Sequence, residues 1–152
     1  MFLDRAIELS REGMQQGDGG PFGAVIVRDG EIIAEGNNRV LVDNDPTAHA
    51  EVTAIRRATA KLGRFDLSDC ELYTSCEPCP MCLGAIYWAR PKAVYYANTK
   101  QDAAAIEFDD SFIYDEIAKP MNERAIPFHH VDSAAAREVF SEWANKADKT
   151  QY

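Results

Sequence analysis

The 152-residue sequence lacks any run of about 20 apolar residues, the length a membrane-crossing helix requires. Its opening, Met1-Phe2-Leu3-Asp4-Arg5, places charge early and has no long apolar stretch, so no signal peptide and a cytoplasmic location are expected. Positive charge is scarce: Lys+Arg 16 stand against Asp+Glu 25, for a net charge of -9. Grip on a nucleic-acid backbone rests on clustered Lys and Arg, so neither nucleic acid nor membrane is an expected partner. The Arg56-Arg57 pair sits inside a helical pattern and reads as a solvated face. Cysteine is limited to Cys70, Cys76, Cys79 and Cys82. Without a secretory context, that tight spacing points to metal or redox chemistry rather than disulfides. No internal repeat, low-complexity segment or linker interrupts the chain, which reads as a single domain over residues 1–152.

Hydrophobic periodicity and turn residues supply the element order. Phe2, Ala6, Leu9 and their neighbours recur at helical spacing until Gly17. Phe22–Val27 reads as a strand, Asp29-Gly30 as a tight hairpin turn, and Ile32–Glu35 as the return strand. Asn37–Pro46 is a polar loop. A helix is expected over Ala48–Leu62, closed by Gly63, then a strand at Leu72–Thr74 and a loop at Cys76–Pro80. A helix follows to Ala89, then a strand at Ala93–Tyr96, a helix at Asp110–Ala118, a strand at Ile126–Val131, and a helix at Ala134–Lys146 capped by Ser133. One of the adjacent His129 and His130 would then face inward and the other outward. This order predicts an α/β fold of three layers, α/β/α: a mixed, mainly parallel five-stranded sheet with helices on both faces. In open sheets of this kind ligands bind where strand ends meet helix starts.

Two motifs fall at such places: His49-Ala50-Glu51 and Pro78-Cys79-Pro80-Met81-Cys82. One imidazole and two thiolates make three ligands, the number an open catalytic zinc site needs. Cys79 and Cys82, three apart at a helix start, emerge on one face, where the helix N-terminus favours the thiolates that zinc requires. His49 and Glu51 would point to opposite sides in mid-helix. At the first turn both project off the end, so the helix must begin near Ala48. One zinc per chain is expected, with the fourth position open to a water whose pKa the metal brings to about 7. Glu51 is then the proton carrier, from that water to the ring nitrogen and leaving amine of a substrate. A closed structural site would recruit Cys76 or Cys70 as a fourth ligand, and a redox Cys79/Cys82 pair would leave His49 and Glu51 idle. The glutamate favours the open site. Cys76 and Cys70 read instead as a loop thiol and a small buried hydrophobe. Together the motifs spell H-x-E…P-C-x-x-C, the pattern of zinc nucleobase deaminases.

Spacing gives no substrate. The runs Gly19-Gly20-Pro21-Phe22-Gly23-Ala24-Val25-Ile26-Val27, Asn44 through Arg56, Tyr73 through Cys82, and Phe108-Asp109-Asp110-Ser111-Phe112-Ile113-Tyr114 strongly resemble bacterial guanine deaminases of the cytidine deaminase superfamily. The resemblance spans nearly the whole chain. The first three runs are shared in part with tRNA adenosine and cytosine deaminases. The Phe-Asp-Asp-Ser-Phe run and the terminal Tyr152 are what point to guanine. The resemblance implies a cytidine-deaminase-like fold and hydrolysis of guanine to xanthine and ammonia, with hydroxide on zinc attacking C2. It maps His49, Cys79 and Cys82 to zinc, Glu51 to proton transfer, and Asp110, Asn38, Phe22 and Tyr152 to the purine base. It also implies a homodimer in which the C-terminal segment, about 132–152, is exchanged between subunits and closes the site.

Each substrate-side residue also has a plainer reading. Asp110 can cap the helix that starts beside it, Asn38 can shape the Asn37-Asn38 turn, Phe22 can be core, and Asp148–Tyr152 can be a frayed tail. The competing functions are a tRNA adenosine or other nucleobase (cytosine-type) deaminase, and a non-catalytic zinc-stabilised scaffold. The acidic net charge weighs against tRNA.

Overall fold

Positive-φ residues punctuate the chain where the turns demand them. A computed structural model describes residues 1–152. Helix α1 (Phe2–Gln16) stops at Gly17, which is left-handed. Strands β1 (Gly23–Arg28) and β2 (Glu31–Asn37) are joined by Asp29 at φ 50° and Gly30 at φ 78°. Two successive positive φ values match the right-handed twist of the flanking strands. Helix α2 (Ala50–Leu62) ends at left-handed Gly63. Strand β3 (Cys70–Cys76), helix α3 (Pro80–Ala89) and strand β4 (Ala93–Asn98) follow. The short helix α4 (Lys100–Ala105) was not expected, although Thr99 and Asp102 form a reciprocal capping box at its start. Helix α5 (Ser111–Ala118), a 3₁₀ turn at Met121–Glu123 and helix α6 (Ala134–Asn145) complete the chain. Ser133 caps α6 through the backbone N–H of Ala136, as expected.

The sheet has four strands in the order β2-β1-β3-β4, not five. Ile126–Val131 forms no strand. Pro127 removes a ladder donor at the second residue of that run, and Ile126 and Val131 are both largely exposed, so no half-buried surface rewards pairing. His129 and His130 are accordingly both exposed. The sheet is mixed, but β1 pairs antiparallel with both β2 and β3, and only β3 and β4 run parallel. The expectation of a mainly parallel sheet fails because β1 takes antiparallel neighbours on both sides, β2 through the hairpin and β3 after α2.

Two compact units divide the chain, Met1–Ser111 and Phe112–Tyr152. In the first, alternate residues of β1 serve opposite layers. Val25 and Val27 pack with Leu9 and Phe2 of α1, whereas Ala24 and Ile26 pack with Ala50, Ala54 and Ala58 of α2 and Ile86 and Ala89 of α3. Helices therefore cover both faces of the sheet. Gly36 sets how close α2 approaches: a Cβ there would lie 2.5 Å from the Ala50 carbonyl oxygen. The absent side chain lets the first turn of α2 rest directly on β2. In the second unit, α5 and α6 contain no buried residue.

Candidate metal centre

Both motifs begin helices. His49 is the N-cap of α2, with extended backbone at φ −69° and ψ 159°, so its ring leaves the chain before the helix turns. Its carbonyl accepts the first-turn bond from the Thr53 N–H at 2.9 Å. Glu51 follows in the first turn, where a carboxylate complements the positive helix end. The helix starts at Ala50, two residues later than expected, and His49 thereby gains the freedom of a cap. Cys79 is the N-cap of α3; its sulfur accepts from the Cys82 N–H at 3.5 Å, and Pro80 occupies the first turn, where no N–H is missed.

The two helix starts converge. Nδ1 of His49 lies 3.5 Å from Cys79 Sγ and 3.5 Å from Cys82 Sγ. The three ligand atoms lie within 4.8 Å of one another. A tetrahedral zinc with ordinary Zn–S and Zn–N bonds sets its sulfur and nitrogen ligands about 3.5 Å apart, so this donor set fits that ion. Cys76 lies outside the group; its buried thiol points to the Thr99 carbonyl at 3.7 Å, and burial pushes it up to about 11. Cys70 is fully buried, donates to Asp69, and is likewise pushed up to about 11 by burial. The group holds no fourth Cys or His, which leaves a ligand position open.

Electrostatics point the same way. The hydrogen bond from Cys82 holds the Cys79 thiol down, to about 4, and the His49 ring adds to this. Cys82 moves up because it donates to Cys79 and is buried. One proton thus serves two sulfurs, and both become thiolates together only beside a cation. The Cys79 sulfur in turn raises His49. Glu51 is buried, and desolvation raises its carboxyl. Its Oε2 accepts from Cys82 Sγ at 3.4 Å, and its Oε1 accepts from the Thr74 hydroxyl at 3.3 Å. His49, Glu51, Cys79 and Cys82 are therefore brought to one point.

Asn38 and Phe22 adjoin: the Asn38 N–H donates to the Phe22 carbonyl at 3.0 Å, and the next residue, Arg39, donates to the Ala48 carbonyl at 2.9 Å. Buried Asn38 accepts the Val40 N–H on Oδ1 at 3.0 Å, so it does shape its turn. Phe22 is half-buried and packs against the core, while its ring meets Phe108 edge-on, centroids 5.0 Å apart. Asp109, not Asp110, makes the bond at the start of α5, accepting the Ser111 N–H at 2.8 Å. Burial raises the Asp110 carboxyl, and the Cys79 charge raises it further. Tyr152 is exposed and belongs to the second unit.

Residues 1–98 match the family described as cytidine and deoxycytidylate deaminase zinc-binding region. The chain belongs to that deaminase family. The guanine deaminase of Bacillus subtilis (strain 168) is 64% identical over 151 residues, 99% of this chain and 97% of that protein. An X-ray structure of guanine deaminase from Bacillus subtilis superposes with a TM-score of 0.97, covering 99% of this chain and 96% of that one. The tRNA-specific adenosine deaminase of Agrobacterium fabrum is 41% identical over 106 residues, 70% of this chain and 69% of that protein. Zinc is thus the cofactor of this deaminase, an enzyme and a homologue of guanine deaminase.

Sequence reasoning on the deaminase missed three residues that touch the expected site residues Phe22 and Glu51. Gly20 has a readable signal, a Gly-Gly-Pro break, but its consequence is tertiary: a Cβ there would lie 2.8 Å from the Phe108 ring and 3.0 Å from that of Phe22. Only glycine lets the two rings close on each other. Phe108 lies in the Phe-Asp-Asp-Ser-Phe run but carried no role. Thr74 sits in mid-strand with nothing local to mark it.

Proposed function

We propose that the chain hydrolyses guanine to xanthine and ammonia. The observation that carries this is identity of 64% to a guanine deaminase over 99% of the chain. In this reading His49, Cys79 and Cys82 hold zinc, which when bound supplies a Lewis acid that activates water for attack at C2. Glu51 takes one proton from the water and gives it to the ring nitrogen as the C2–O bond forms, then carries the proton of the new C2 hydroxyl to the exocyclic amine as the C2–N bond breaks and ammonia leaves. Its burial beside Cys82 and Thr74 keeps that proton from bulk solvent. Asp110 accepts from the N–H donors on the N1/N2 edge of guanine, an acceptor-only partner for a donor edge. The Val40 N–H engages Oδ1 of Asn38, and the amide's N–H donors face the acceptors O6 and N7 in this reading. Phe22 walls the purine.

Residues 1–152 serve one deaminase domain, and the C-terminal segment, about 132–152, passes to the partner in a homodimer and brings Tyr152 to the base. What supports the exchange is that α6 exposes Val139 and Phe140 while burying nothing of its own. The setting is the cytoplasm; no helix is long and apolar enough to cross a membrane. A tRNA adenosine substrate is the weaker reading, given the lower identity to such enzymes and a net charge of -9.

The test is ammonia release from a panel of guanine, adenine, cytosine, their nucleosides, aminotriazines and an anticodon-loop RNA. Guanine should lead, with xanthine as product. A preference for adenosine in the RNA would replace this reading with the tRNA one.

A further inference from the structure

We infer that Thr74 is a positioning residue that holds the Glu51 carboxylate in place. The inference rests on the reading of Glu51 as proton carrier. Thr74 lies in β3 with 1% of its surface exposed. Its Oγ1 is 3.3 Å from Glu51 Oε1 and 3.1 Å from the Cys76 carbonyl oxygen. A hydroxyl has one proton, and a carbonyl can only accept. Both distances exceed the usual O–H···O separation of about 2.7–2.8 Å, as expected when one donor is shared between two acceptors. The carbonyl anchors the hydroxyl from the strand side, and the hydroxyl reaches across to the first turn of α2.

The carboxylate has two further neighbours, its own backbone N–H and Cys82 Sγ, the latter at 3.4 Å from Oε2. A cysteine that ligates zinc does so as a thiolate and has no proton to give. With the metal in place that contact loses its donor, and Thr74 is then the side chain that, beside the carboxylate's own backbone N–H, orients Glu51. A buried carboxylate oxygen stripped of its donor turns toward another partner, and a misaimed proton carrier slows turnover more than it weakens substrate binding.

Thr74→Val keeps the shape of the side chain and removes the hydroxyl; Thr74→Ser keeps the hydroxyl. The experiment measures kcat and KM for guanine, zinc content, and the crystal structures of both variants, beside wild type and Glu51→Gln. Thr74→Val should lower kcat about tenfold, the scale for loss of a group that orients a metal site's working residues, with KM moved less than about twofold and one zinc per chain retained. Thr74→Ser should recover most of that loss, and the Glu51 carboxylate should be displaced in Thr74→Val but not in Thr74→Ser. An unmoved carboxylate and wild-type kcat in Thr74→Val would overturn the inference. So would equal losses in the two variants, or lost zinc, since those report strand packing. If wild type fails on guanine, or Glu51→Gln stays active, the reading of the function fails instead. The carboxylate position then decides the inference alone: displaced only in Thr74→Val it stands, otherwise it falls.

Discussion

Met1–Ser111 and Phe112–Tyr152 handle apolar surface in opposite ways. The first unit buries Ile26, Leu67, Leu72 and Val25 completely and layers helices on both faces of its sheet. The second has no buried residue, and Phe112, Ile117, Val139 and Phe140 are each at least 60% exposed. Ion pairs differ in reach, although the first unit also has local ones such as Arg5–Glu8 and Arg39–Asp43. Arg5–Glu35 and Arg28–Asp69 in the first unit join elements distant in sequence, whereas Lys119–Glu116, Arg137–Asp132 and Lys146–Asp148 in the second are local. The first unit has a core of its own around a metal centre. The second has helices with exposed apolar residues and local ion pairs, and that exposure is what motivates the exchange proposed for the dimer.

The largest effect should come from the first unit. Glu51→Gln should keep one zinc per chain and cut ammonia release by about 10²–10⁴-fold, the range for loss of a positioned proton-transfer group. Metal analysis beside steady-state rates checks it, and substantial turnover in the zinc-loaded variant would remove Glu51 from the proton path.

Next comes burial itself. Leu72 is fully buried, and Leu72→Ala should cost about 2–5 kcal/mol in denaturant unfolding. Phe140 is 79% exposed, and Phe140→Ala should change the stability of the single chain by no more than about 0.5 kcal/mol. Should Phe140→Ala also lose stability, and more so on dilution, α6 is buried in an assembly, which sharpens the contrast between the units into an argument for exchange.

Smaller effects concern the substrate side. Asp110→Ala should lower kcat/KM for guanine about 10–100-fold with zinc retained if Asp110 is, as proposed, the acceptor for guanine's donors. Deleting Thr150–Tyr152 should lower it about tenfold if the tail excludes water from the site. Activity unchanged by the deletion would return the tail to a frayed end; activity unchanged by Asp110→Ala would leave that residue without a role, since Asp109 already makes the bond at the start of α5.

What could be read in the sequence was what local chemistry dictates. Gly17, Gly63 and the Asp29-Gly30 turn were legible because a positive φ selects residues directly. The His49, Glu51, Cys79 and Cys82 set was legible because ligand types and spacings are restrictive, and because helix starts can be recognised from Pro80 and the residues around it. The sheet's direction was not, since strand alternation does not encode which neighbour a strand takes. Ile126–Val131 misled because β-branched and aromatic residues suggest a strand only where a half-buried surface exists. The α4 capping box was present in Thr99 and Asp102 and went unread. Thr74 and the Phe22–Phe108 pair depend on contacts between separate elements, to which no local pattern is tied.

The smallest effect tests the long-range polar ties of the first unit. Arg5 of α1 grips Glu35 of β2 with two bonds, Nε to Oε1 at 2.8 Å and Nη2 to Oε2 at 2.9 Å. That hydrogen-bonded guanidinium, more than any opposing burial, holds the Glu35 carboxyl below its ordinary 4.5. A carboxyl lowered in the folded chain releases its proton there more readily than in the unfolded chain. Its contribution is therefore complete above the ordinary value and fades as pH falls through the lowered one. Glu35 is partly exposed, so solvent limits the effect, and Glu35→Gln should cost about 0.3–1 kcal/mol near neutral pH. The gap to wild type should narrow below pH 4.5, the ordinary value, and should also narrow in high salt. Thermal melts of the two proteins across that range read it directly. A gap that persisted in acid would mean that the ion pair contributes nothing and that glutamine merely packs less well, and the first unit would then depend on its core alone to seat α1.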